Sequence, residues 1–234
     1  MGSTGAITER LTSQAQEKTL RKLIKQTANL KKEQYRIVDD DGNVIFKKQG
    51  KNDHVSMTVG EHRQYGDGTV SIHNHPQDDG ALGGPFSEND LTDFGYGAKA
   101  IVVSAPEGEY RLTNLRFGKK DQTAGWIPLQ NEIKKVDANH STAKVLKESN
   151  RIMAESAINK ELKATSDRWV KRREAGASKE ELDAISAHYD ELSKKYKAEL
   201  HRVRRKLEIQ PYHEVYKKYA KKYGFQYIYP KGAF

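Results

Sequence analysis

The chain has 234 residues, a mass of 26.6 kDa and a formal net charge of +9, with 35% hydrophobic and 31% charged residues. That length holds one domain with appendages or two small ones, and the polar balance predicts that part of the chain is extended, solvated helix rather than dense core. The absence of cysteine excludes disulfides, thiolate zinc sites and cysteine nucleophiles, so any metal must rest on histidines and carboxylates.

No apolar run approaches the length of about 18 residues that a membrane span needs, and no charged-then-apolar leader is evident. A soluble product made for the cytoplasm is therefore expected. Charge is unevenly placed: residues 1–129 carry 17 Lys and Arg against 17 Asp and Glu, whereas residues 130–234 carry 24 against 15. The asymmetry separates a neutral first part from a basic second part and points to an anionic partner for the latter.

Met1 to Gly5 is small and polar and carries no fold signal. Ile7, Leu11, Leu20, Leu23, Ile24 and Leu30, set among Lys, Glu and Gln, predict a leading amphipathic helix within residues 1–30. Tyr35-Arg36-Ile37-Val38 and Asn43-Val44-Ile45-Phe46 flank a turn ending in Asp41-Gly42, the signature of a β-hairpin. Val55 to Val59 reads as a third strand. Glu33 falls in the alternating register of Tyr35 and Ile37 and should face their way. Glu61 precedes the Gly-rich turn at Gly66 to Gly68 and reads as a solvated loop residue.

The stretch Thr69 to Asp90 is where several ligand-type side chains fall at spacings that one site can use. Val70 and Ile72 are β-branched and predict a strand into His73-Asn74-His75-Pro76, where the proline stops the ladder. Residues two apart on a strand share a face, so His73 and His75 present a pair of neutral nitrogen ligands suited to Zn²⁺. After a Gly-rich loop, Ser87 reads as the N-cap of a short helix. Asp90 then sits in the first turn, where its carboxylate can turn back to the histidines. Two histidines and a carboxylate make a catalytic-type zinc site with a position left open for water. Taken singly, HxH is common in exposed turns and SxxD is an ordinary capping arrangement; the ordered pair is what carries the signal.

HxHP followed by SxxD resembles the JAMM signature of the JAB/MPN metalloprotease superfamily, and the HNHP form resembles its RadC branch. The resemblance covers roughly residues 30–115. It implies zinc on His73, His75 and Asp90, with Ser87 donating a hydrogen bond to a developing oxyanion. It also implies an upstream glutamate as proton shuttle, for which Glu33 is preferred and Glu61 competes. Ten residues separate Pro76 from Ser87, longer than the family spacing, so the loop should bulge and its Asp78-Asp79 pair can alter access to the metal. HNHP, FS and D together also resemble domains of tailed-phage head-morphogenesis proteins and bacterial polymorphic toxins. Those relatives imply virion association and assembly partners without requiring catalysis.

Leu91, Phe94 and Ala98 complete the short helix, which ends near Gly95-Tyr96-Gly97. Ala100 to Val103 reads as a buried strand and Tyr110 to Leu112 as its hairpin partner across Pro106-Glu107-Gly108. Residues 113–130 look like a connector broken by Gly118, Gly125 and Pro128. Thr142 to Arg173 and Ser178 to Gln210 contain neither Gly nor Pro and predict two long helices, the second restarted by a Ser178–Glu181 capping box. Leu182, Ile185, Tyr189, Leu192, Tyr196, Leu200, Val203 and Leu207 form its seam; Leu146, Met153, Leu162 and Trp169 are the expected inner residues of the first. Pro211 should open a last helix to Tyr223, ended by Gly224, and Phe225 to Tyr229 alternates as a strand returning to the sheet.

The expectation is an α/β fold: a JAB/MPN-like mixed sheet with flanking helices and an inserted antiparallel helical hairpin. Its parts are a leading helix (1–30), a metal module (31–129), a basic hairpin (130–210) and a terminal helix and strand (211–234). The expected activity is zinc-dependent hydrolysis of a peptide or isopeptide bond in a protein substrate. The rival is a non-catalytic head-morphogenesis or nucleic-acid-contacting protein that uses the basic hairpin and its aromatics. A zinc deaminase is weaker because its cysteine ligands are missing, and no ββα-metal signature accompanies His-Asn-His.

Overall fold

A computed structural model describes residues 12–50, 55–76, 83–114, 122–139, 141–223 and 225–231. Met1 to Gly5, Ile7, Leu11, Asp78-Asp79, Gly118 and Gly224 lie outside them. The protein is α/β, with a six-stranded mixed sheet and a long helix. The described residues form two compact units: one drawn from Met1–Asp78, Leu82–Asn139 and Ile209–Phe234, the other from His140–Glu208.

In the first unit α1 (Gln14–Thr27) starts at a capping box: Ser13 Oγ accepts the Gln16 amide at 3.0 Å, and the Gln16 side chain accepts the Ser13 amide at 2.9 Å. The strands are β1 (Gln34–Val38), β2 (Val44–Gln49), β3 (Val70–Asn74), β4 (Ala100–Ala105), β5 (Gly108–Asn114) and β6 (Phe225–Ile228). They lie in the order β2-β1-β3-β4-β5-β6, parallel between β3 and β4 and antiparallel elsewhere. The hairpin expected around Asp41-Gly42 is β1–β2. Gly42 has φ +81°, and a Cβ there would lie 2.7 Å from the Ala15 carbonyl oxygen, so the turn needs a glycine.

Both faces of the sheet are covered. Leu20 and Leu23 of α1 are buried with Val38, Val70, Ile72, Ala100 and Val102 on one face. On the other, Ile101, Val103 and Leu112 pack with Phe86, Phe94, Leu129, Ile133, Tyr216 and Phe225. Strand alternation divides the side chains between the faces. Each fully buried Leu, Ile or Phe contributes roughly 1.5–3 kcal/mol.

Several sequence expectations are corrected. Val55 to Val59 is not a strand: residues 55–58 are irregular and α2 (Val59–Tyr65) follows, capped by Thr58, whose Oγ1 accepts the Glu61 amide at 3.2 Å. Ser87 does not cap a helix. Asn89–Leu91 is a 3₁₀ turn without a side-chain cap, leading into α3 (Thr92–Gly95). Much of the expected connector is α4 (Gln122–Asn139), which contains Gly125 and Pro128; burying Leu129 and Ile133 outweighs the lost helix bond at the proline.

In the second unit the first arm is two helices, α5 (Thr142–Glu155) and α6 (Ala157–Glu174). Ser156 ends the first in an extended conformation and caps the second, accepting the Asn159 amide at 3.2 Å. The return arm is the first part of α7 (Lys179–Tyr223), which contains Pro211, so Pro211 does not open a separate helix. Ser178 Oγ accepts the Glu181 amide at 3.3 Å, but the Glu181 carboxylate takes Arg172 at 2.8 Å. His188 Nε2 lies 3.4 Å from Glu161 Oε1, and Arg204 Nε donates to Ser149 Oγ at 3.4 Å, so the arms are antiparallel. Met153, Ile185 and Leu192 are buried, whereas Leu146 and Tyr189, expected inside, are exposed. No helix among the described residues is long and apolar enough to cross a membrane.

Candidate metal centre

β3 sends Val70 and Ile72 to the α1 face and His73 to the other. His75 follows the last strand residue but keeps a sheet bond, its amide donating to the Ser104 carbonyl at 3.1 Å. The two imidazoles consequently converge, with Nε2 atoms 3.1 Å apart. Asp90, in the 3₁₀ turn, brings Oδ1 to 3.2 Å from His73 Nε2 and Oδ2 to 3.8 Å from His75 Nε2. Glu33, just before β1, adds a carboxylate: one ligand atom each from Glu33, His73 and His75 lie within 4.8 Å of one another, a group that can hold a metal ion.

The donor spacing fits such an ion. Tetrahedral bonds of about 2.0–2.1 Å put neighbouring donors roughly 3.3 Å apart, close to the 3.1 Å between the imidazoles and the 3.2 Å from His73 to Asp90, with His75 to Asp90 wider at 3.8 Å. The set is nitrogen and oxygen only, which suits a borderline cation.

The candidate donors are held to different degrees, and His73 Nδ1 is buried without a hydrogen-bond partner among the described residues. His75 Nδ1 lies 3.3 Å from the Gly83 carbonyl and 3.2 Å from that of Gly84, an arrangement that places the ring proton on Nδ1 and frees Nε2. The amides of both glycines donate to the Glu107 carboxylate at 2.8 Å, and the Tyr110 hydroxyl donates to it at 2.8 Å. His73 stacks on Tyr35, with centroids 6.1 Å apart and planes 14° apart, and Tyr35 donates its hydroxyl to Asp93 at 2.6 Å. Asp90 accepts the Ser87 amide at 2.6 Å. Here the serine secures the aspartate through its backbone.

The electrostatics follow from burial and proximity. Burial alone would push His73 down, but the adjoining Asp90 carboxylate, helped by Glu33 and Asp93, outweighs it and raises the imidazole to about 9. Burial raises Asp90 in turn, and the two histidines more than reverse this, holding it well below the usual carboxylate range. Burial also raises Asp93, opposed by hydrogen bonding from Tyr35 and by His62.

Glu33, His75, Ser87 and Asp90 line a cleft of about 410 Å³ together with Tyr35, His62 and Asp93, and Val55 and Met57 contribute apolar surface. Glu61 is absent from its lining. The Glu61 carboxylate instead accepts the Thr58 amide at 2.6 Å and pairs with Lys48 at 2.9 Å. The structure thus brings Glu33, His73, His75 and Asp90 together, sets Ser87 at their edge and leaves Glu61 out. Sequence reading missed Glu107, Tyr35 and Asp93. Glu107 was hidden in an ordinary turn, and nothing in sequence spacing signals a carboxylate that binds backbone amides.

No family model, curated protein or solved structure matches this chain.

Proposed function

We propose that the protein is a zinc-dependent hydrolase of the JAMM type, cleaving a peptide or isopeptide bond. The observation that supports this is the convergence of His73 Nε2, His75 Nε2 and the Asp90 carboxylate beside Glu33 in an open cleft. His73, His75 and Asp90 would hold the ion. When bound, zinc supplies Lewis acidity and acidifies water to a pKa of about 7. Glu33 takes a proton at its carboxylate and passes it to the leaving nitrogen. Ser87, at the rim, donates to the developing oxyanion. Metal analysis of protein purified with zinc, beside His75→Ala, tests the site; isopeptide hydrolysis by wild type and Glu33→Gln tests the chemistry. Wild type without stoichiometric metal removes the hydrolase reading.

A second reading concerns the helical part alone. Residues 140–208 carry 17 Lys and Arg against 12 Asp and Glu, a cation surplus that favours contact with a nucleic acid, as in a structural protein of a phage head. This contact is compatible with catalysis elsewhere.

A further inference from the structure

We propose that Asn74, the residue between the two histidines, is the positioning residue for Glu33. The inference rests on the metal-site reading above. Asn74 sits at the end of β3 and is fully buried, 0% exposed. It points away from the histidine face by strand alternation and therefore takes no direct part in the ligand set. Its side chain instead grips the backbone on both sides of Glu33. Asn74 Oδ1 accepts the Gln34 amide at 2.8 Å, and Nδ2 donates to the carbonyls of Lys32 at 3.3 Å and Leu30 at 3.5 Å.

Glu33 lies just before β1 and outside the β1–β3 ladder. The β1–β3 ladder runs from Val38↔Val70 to Tyr35↔His73 and stops. Carried two residues further, the register sets Glu33 across from His75. Asn74 replaces the missing ladder bonds, and the Gly50 amide adds one more by donating to the Glu33 carbonyl at 2.9 Å. With the backbone fixed at residues 32 and 34, the Glu33 side chain is committed to the face that carries His73 and His75. The asparagine thereby links β3 to a residue 41 positions upstream, through an amide 40 positions upstream. An amide side chain suits the task because it offers a donor and an acceptor together, whereas an aspartate lacks the donor and an aliphatic residue lacks both.

The test is a double-mutant cycle on Zn²⁺ affinity, read by competition with a chromophoric chelator, using wild type, Asn74→Ala, Glu33→Gln and the double variant. Asn74→Ala is expected to weaken Zn²⁺ binding a few-fold, because it displaces a carboxylate whose charge lies within 4.8 Å of the histidine ligand atoms, and to cut peptide or isopeptide hydrolysis at saturating Zn²⁺ by more than about 10-fold. In the Glu33→Gln background the same change is expected to shift affinity less than about twofold, because the group it positions has already lost its charge. Equal weakening in both backgrounds makes Asn74 a general structural residue and overturns the proposal. A wild type that binds no Zn²⁺ overturns the metal-site reading and this inference with it, whereas metal binding with an additive cycle overturns only the inference. If Asn74→Ala does not fold, Asn74→Ser, which keeps a short hydroxyl in the same place, carries the same cycle with the same two outcomes.

Discussion

Glu107 reaches His75 through two glycines: its carboxylate accepts the amides of Gly83 and Gly84 at 2.8 Å each, and the carbonyls of those residues face His75 Nδ1 at 3.3 and 3.2 Å. The turn between β4 and β5 thus sets the orientation of a candidate ligand. Glu107→Ala leaves two amides without their acceptor and frees the segment whose carbonyls fix the His75 tautomer. Zinc affinity should fall roughly 10-fold to 100-fold, measured by chelator competition. An unchanged affinity would show that His75 is oriented without the clamp.

The same segment predicts a steric effect. A Cβ on Gly83 would lie 2.6 Å from Ala105 Cβ and 3.2 Å from His75 Cβ. Overpacking of this kind costs about 1–3 kcal/mol. Gly83→Ala should therefore lower the midpoint of urea unfolding, and an unaltered midpoint would mean that the segment shifts freely.

His213 gives the protein an acid-sensitive component unrelated to the metal. Its ring is 2% exposed, with Nδ1 3.2 Å from the Tyr227 hydroxyl and the ring edge-on to Tyr229 at 4.5 Å. Burial chiefly, and then Lys217, depress its pKa to about 4, with Glu214 acting in the opposite direction. The unfolded chain takes this proton near 6.5, so between about 6.5 and 4 the unfolded state binds more protons than the folded one. Stability from the neutral ring is complete above 6.5 and is lost as the pH falls toward 4. Subtracting the urea-unfolding free energies of His213→Gln from those of wild type across that range should isolate the loss. A difference independent of pH would contradict a neutral, buried His213.

The paired strands and the site were legible because alternation, the Asp41-Gly42 turn and the HNHP spacing all express local backbone geometry. What was missed depended on tertiary packing or on backbone partners. Val55 and Val59 suggested a strand, yet Thr58 and Glu61 spell the capping box that starts α2, and the box prevailed. Pro128 and Pro211 looked like boundaries but lie inside helices near Leu129, Ile133 and Ile209, all buried. Ser156 carries no Gly or Pro signal and still divides the first arm, since its hydroxyl offers the Asn159 amide an alternative to the helix ladder. Glu33 could be placed by register, but its hold on the site comes from an asparagine that sequence reading passed over.

The nucleic-acid reading has its own test. Arg204 and Arg205 are already engaged, with Ser149 and Glu208 respectively, whereas Arg202 and Lys206 are exposed. Reversing both, as Arg202→Glu with Lys206→Glu, should weaken binding of double-stranded DNA at low salt and reduce the slope of log affinity against log salt by about 2. Filter binding at several salt concentrations measures both. Weak binding with an unaltered slope would leave the helical surface merely solvated.

Zinc should stabilise the unit that holds His73, His75 and Asp90, because the folded site offers converged donors that the unfolded chain lacks. At a free zinc concentration 100 times Kd the gain is about 2.7 kcal/mol. For a protein of this size that corresponds to a rise in Tm of roughly 5–10 °C, reversed by chelation. His75→Ala should abolish the rise, and Asp90→Asn should reduce it. The two glutamates separate cleanly in this assay. Glu61→Gln disturbs a helix cap and the Lys48 pair, so it should lower the metal-free Tm while preserving the shift with zinc. Glu33→Gln tests its role directly. If Glu33 serves as proton shuttle, most of the zinc-induced shift survives while peptide or isopeptide hydrolysis is lost. If Glu33 is itself a ligand, the shift collapses together with activity. Retention of both shift and hydrolysis in Glu33→Gln would remove Glu33 from the mechanism, whatever its distance from the histidines.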